Sequence, residues 1–133
     1  LNRHSEIRKT IIARLKEEAG NGVTYFDGRP GFIDEDDLPA VAVYLTDAQY
    51  TAENIDGDPW VATLHIEVFL KAAQPDSALD LWMENKIYPA LNDIPALAGL
   101  INTMVQQGYD YQRDTEMVTW GSADLTYTIT YTM

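Results

Sequence analysis

A period-two alternation dominates the middle of the chain. Trp60, Ala62, Leu64, Ile66, Val68 and Leu70 fall on one face of an extended segment, and Val61, Thr63, His65, Glu67, Phe69 and Lys71 fall on the other. A second strand-like run, residues 39–46, precedes it across the acidic, Gly-containing connection at residues 53–58. The two runs predict an antiparallel hairpin whose connection is longer than a two-residue turn. One face of its second strand is core. The other is mixed, as in a sheet that meets solvent in a monomer and a partner in an assembly. Long strand pairs expose edges that join other chains unless protected, so the hairpin reads first as an assembly surface.

Elsewhere the period changes. Ile7, Ile11, Ile12, Leu15 and Ala19 follow helical spacing over residues 5–19, with Ser5 as the expected N-cap and Gly20, Asn21 and Gly22 as the stop. Residues 23–26 read as a short strand, 27–31 as a turn and 34–37 as an acidic loop. A second helix begins at residues 75–77 and carries the stripe Leu79, Trp82, Met83, Lys86, Ile87 and Ala90; Pro89 should end or kink it. Residues 94–105 predict a short third helix that Gly108 closes off. Tyr109, Tyr111 and Arg113 alternate with polar residues, and from Ala123 the alternation returns without a break. It points Leu125, Tyr127, Ile129 and Tyr131 to the core and the threonines away from it. The order of elements predicts an α+β fold, a largely antiparallel or mixed β-sheet with two to three helices packed on one face, formed by residues 1–133 as one domain.

Composition narrows the function classes. The absence of cysteine removes disulfide, thiolate-metal and cysteine-nucleophile readings together and suits a reducing cytoplasm. No apolar run approaches a membrane span and residues 1–6 lack a signal-peptide core, so a soluble, non-membrane protein is expected. Asp and Glu number 21 against 9 Lys and Arg, a net charge of −12. Nucleic-acid grip is disfavoured, because it works by placing cations on phosphates. The densest basic group, Arg8, Lys9, Arg14 and Lys16, reads as the solvated face of the first helix.

Catalytic patterns do not assemble. His4 lies at the amino end, and His65 lies mid-strand beside Glu67, where it reads as a surface polar residue; neither has a metal-ligand partner at suitable spacing. No nucleophile elbow, phosphate loop or dinucleotide fingerprint occurs. No catalytic, cofactor or metal residue is therefore expected. The acidic groups Asp34, Glu35, Asp36, Asp37 and Glu53, Asp56, Asp58 read as hydrated loops, with Mg²⁺ screening between packed acidic subunits as a further use. On exposure grounds these seven residues are the candidate assembly contacts, joined by Asp27 and Arg29 of the turn.

Several segments, in order and across nearly the whole chain, resemble the tail terminator (minor tail protein U) family of lambda-like long-tailed bacteriophages. They are residues 25–30 (Tyr-Phe-Asp-Gly-Arg-Pro), 32–35, 38–46, 64–70, 75–77, 82–84, 87–89, 93–97, 108–111 and 122–127 (Ser-Ala-Asp-Leu-Thr-Tyr). The departures fall mainly in the first helix and around residues 114–119. The resemblance implies a non-enzymatic virion component, assembled in the host cytoplasm. It implies a hexameric ring on the finished tail tube that stops tube growth and meets the head-tail joining proteins while DNA passes through without specific binding. Two alternatives fit the composition: another neck or head-completion protein, and an acidic inhibitor that mimics DNA. Mimicry favours carboxylates arrayed along an element, whereas these acids gather in loops.

Overall fold

A computed structural model of the chain describes residues 3–19, 22–28, 39–51, 59–71, 75–91, 94–113 and 120–132. Helix α1 (Arg3–Ala19) is followed by the short strand β1 (Thr24–Asp27) and the hairpin of β2 (Ala40–Tyr50) and β3 (Pro59–Lys71). A second helix, α2 (Pro75–Trp82), leads through one 3-10 turn (Pro95–Gly99) to strands β4 (Thr103–Arg113) and β5 (Trp120–Thr132). The five strands form one mixed sheet in the order β1-β2-β3-β5-β4. β1 is parallel to β2 and the other three pairings are antiparallel. The α+β class agrees with the sequence pattern.

Register explains the core. Val43 pairs with Ile66 and Ile66 with Leu125; Leu45 pairs with Leu64 and Leu64 with Tyr127. Directly opposed residues share a face, so the apolar positions of three strands make one apolar surface. Ile7, Ile11 and Leu15 of α1, and Leu79, Met83 and Ile87 from the second helical region, are fully buried in the same cluster as that surface.

Two local outcomes differ from the sequence pattern, and a third takes a form that the pattern left open. Helix α1 already runs from Arg3, so Ser5 lies within its first turn instead of capping it. Pro89 does not end the second helix. The backbone widens into a π turn at Met83–Ile87, where the Tyr88 N–H donates to the Met83 carbonyl, and helix resumes at Tyr88–Leu91. Proline lacks an N–H and its ring crowds the preceding turn, and a π turn just upstream absorbs that disturbance. Residues 94–105 do not form a helix beyond Pro95–Gly99, because from Thr103 the chain is captured by the β5 ladder. Helical spacing among Leu97, Leu100, Ile101 and Met104 is overridden by that pairing.

Candidate functional site

The second face of the sheet carries the polar chemistry. His65 sits on β3 directly opposite Tyr44 of β2, and their rings stack with centroids 4.6 Å apart and planes 6° apart. Its Nδ1 lies 2.9 Å from Oδ2 of Asp124 on β5, and its Nε2 lies 2.6 Å from the hydroxyl of Thr46 on β2. A carboxylate only accepts, so Nδ1 carries a proton and donates to Asp124, and Nε2 shares a hydrogen bond with the Thr46 hydroxyl. Sequence reading placed His65 at the surface; only 16% of its side chain is exposed. The correction follows from partners on two neighbouring strands that a single-strand pattern does not reveal.

Glu67, two residues along, is 5% exposed. Its two carboxylate oxygens accept from the Tyr44 hydroxyl at 2.9 Å and the Ser122 hydroxyl at 3.1 Å. Asp124 is its direct cross-strand partner, and Asp110 of β4 is in turn opposite Asp124. Three acids therefore occupy one row across three strands, an arrangement that self-repels. Asp124 in turn accepts a hydrogen bond from His65.

Thr46, His65 and Asp124 are connected as hydroxyl, imidazole and carboxylate, the order found in acyl-transfer relays. Here the three stand on adjacent strands of one sheet face, with Tyr44 stacked over the imidazole. A relay also requires oxyanion donors converging beside the hydroxyl. The three side chains fasten β2, β3 and β5 in one register.

Toward the other end of the same face the residues become uncharged. Thr63, Thr126, Thr128 and Thr130 are half-buried and Thr103 and Val105 exposed. The Thr103 and Thr130 hydroxyls bond across β4 and β5, and the Thr126 hydroxyl donates to the Gly108 carbonyl. Gly108 adopts φ +135° at the β4 bulge, a backbone open to glycine.

Cations are few on the strands. Five of the Lys and Arg residues, Arg3, Arg8, Lys9, Arg14 and Lys16, belong to α1, whereas the five strands contain only Lys71 and Arg113, each at the end of its strand. Within the basic group Arg8 pairs with Asp27, and Arg14 with Glu17 and Glu18 at 3.1 and 3.0 Å, while Lys9 and Lys16 are exposed.

Of the sequence-predicted assembly residues, Asp27 is placed: it ends β1 and ties that strand to α1 through Arg8. Gly28 follows at φ +105°, and its N–H donates to the Val43 carbonyl at 2.9 Å. Arg29, Asp34, Glu35, Asp36, Asp37, Glu53, Asp56 and Asp58 lie outside the described residues. His4, at the amino end of the sequence, is part of α1 and lies 2.6 Å from the Tyr131 hydroxyl; burial, and then Arg8, hold its imidazole below the usual histidine range. Among the described residues no group of three or more potential ligands could hold a metal ion, and no helix is long and apolar enough to cross a membrane.

Residues 2–131 match the family described as phage minor tail protein U. The chain belongs to that family. Over 131 residues it is 60% identical to the tail tube terminator protein of Escherichia phage N15 and 58% identical to that of Escherichia phage lambda, in each case covering 98% of this chain and 99% of the relative. A chain from the virion of a native gene transfer agent particle is similar in fold, with a TM-score of 0.56, 14% identity, and coverage of 96% of this minor tail protein U family member and 95% of that chain.

Proposed function

We propose that this chain is a structural virion subunit that closes into a ring on the head-proximal end of a finished tail tube. It stops further addition of tube subunits there and offers the surface that joins the filled head. One observation carries the reading: near-60% identity, along almost the full length of both chains, to two proteins named tail tube terminator. The ring is hexameric, as the family resemblance implies, and its partners are the tube protein and the head-tail joining proteins. In each subunit the helices cover one sheet face and leave the other toward neighbours or the channel.

The charge distribution supports a conduit for DNA. Six copies carry a formal charge of about −72. A channel wall with carboxylates and few cations repels phosphate and avoids tight, salt-dependent binding. The sheet, with Asp110 exposed on β4 and Lys and Arg only at strand ends, suits such a wall better than α1 does.

The test is a phage that lacks this protein. Over-long tails without heads, corrected when the protein is supplied in trans, are the expected result. Tails of normal length that join heads poorly would identify a neck or head-completion protein instead.

A further inference from the structure

The sheet ends on both sides in backbone that faces outward. On one side β4 pairs with β5, and Thr103, Val105, Gln106, Gln107 and Asp110 along it are exposed. On the other side, among the described residues, β1 covers β2 from Ala40 to Val43, and Asp47, Ala48, Gln49 and Tyr50 are exposed.

Register puts these two open stretches at the same height. Gln49 is opposite Val61, Val61 opposite Thr130, and Thr130 opposite Thr103, so one row runs from the β2 edge to the β4 edge. Leu45, Leu64, Tyr127 and Gln106 form another row. Direction is equally constrained. Three successive antiparallel pairings make β4 run opposite to β2. A second copy rotated about an axis parallel to the strands keeps both height and direction. Its β2 then meets the first copy's β4 level and antiparallel beyond Val43, the geometry of additional ladder rungs, whereas from Val43 to Ala40 its own β1 holds that place and the contact ends at the bulges of the two strands.

Composition leaves these stretches open. Edge strands are commonly blunted by Lys or Pro, and neither occurs in residues 45–50 or 103–106, where the one charge is Asp47. Bulges between Thr46 and Gln49 and between Gln106 and Gly108, with Asp47 at φ +55°, keep the pairable run short. A short run is weak alone and gains strength when the same contact repeats around a closed ring.

We propose that copies of this chain join edge to edge, the Thr103–Gln106 stretch of β4 against the Leu45–Tyr50 stretch of β2 in the next copy, so that the sheet continues from subunit to subunit. This inference rests on the ring reading and adds the contact that closes it.

The chain has no cysteine, which makes cross-linking decisive. Opposed residues of an antiparallel pair bring Cβ atoms to about 5 Å, within reach of a disulfide, and a short bis-maleimide tolerates a one-residue offset. Thr103→Cys and Gln49→Cys both alter exposed positions, and unchanged unfolding curves check that each variant folds. In assembled rings the double variant should lose its monomer band to a ladder of cross-linked multiples, and a mixture of the two single variants should give cross-linked dimers. Each single variant alone should remain monomeric on the gel. Rings seen by electron microscopy without cross-links overturn the edge contact and leave the ring intact. Dimers of Thr103→Cys alone overturn it in favour of a two-fold β4 contact. No rings, on or off tail tubes, removes the ring reading and this contact with it.

Discussion

Glu67 is a carboxylate satisfied entirely by the neutral hydroxyls of Tyr44 and Ser122, with Asp124 facing it. Glu67→Ala leaves both hydroxyls without their acceptor in a buried setting and should cost about 1–3 kcal/mol in urea unfolding. Glu67→Gln keeps an acceptor and removes one charge from the acidic row, so its cost should stay below about 1 kcal/mol. Equal losses in the two variants would mean that the charge, not the hydrogen bonds, is what the site requires. Tyr127 reports on the core in a different way. Burial, and then the neighbouring Tyr88, push its phenol from 10.0 up to about 12. The folded state therefore holds that proton more tightly than the unfolded state does. The associated stability is complete below pH 10 and disappears as pH rises through 10 to 12. Tyr127→Phe should move the alkaline unfolding midpoint upward, measured by circular dichroism across that window.

Among elements, the second helical region shows how packing decides cost. Met83 is fully buried and Leu81 is 59% exposed, although both are apolar and two residues apart. Met83→Ala should destabilise by about 2–5 kcal/mol, and Leu81→Ser should stay within about 0.5 kcal/mol in thermal unfolding. Helix α1 and strands β3 and β5 are legible in the sequence because each shows a single sustained period with one apolar side. The stretch after Ile94 is not, since its apolar spacing suits a helix while the β5 ladder that claims it from Thr103 onward comes later in the chain. The polar site is less legible still. His65 finds Thr46 19 positions away and Asp124 59 positions away, and no local pattern encodes those meetings. What the sequence shows of an assembly surface is charge in loops and the strand run itself; the equal height of Gln49 and Thr103 emerges only once four strands are in register.

For the molecule as a whole, charge and topology divide the surface into unlike parts, as a subunit with heterologous contacts requires. The basic residues concentrate on α1, the carboxylate row crosses the second sheet face, and the two outward strand stretches stand at opposite ends of one sheet. The deletion phenotype and the cross-linking pattern test this arrangement at separate levels, the first for the role in the tail and the second for the contact. The strand order has one more consequence. β5 is inserted between β3 and β4, although β4 is synthesised first. While a ribosome is still translating, β4 has no neighbour to pair with, and the apolar face of β3 lacks the strand that completes it. The sheet is therefore finished only after synthesis has passed β5, and the same late step generates the β4 edge at its working height.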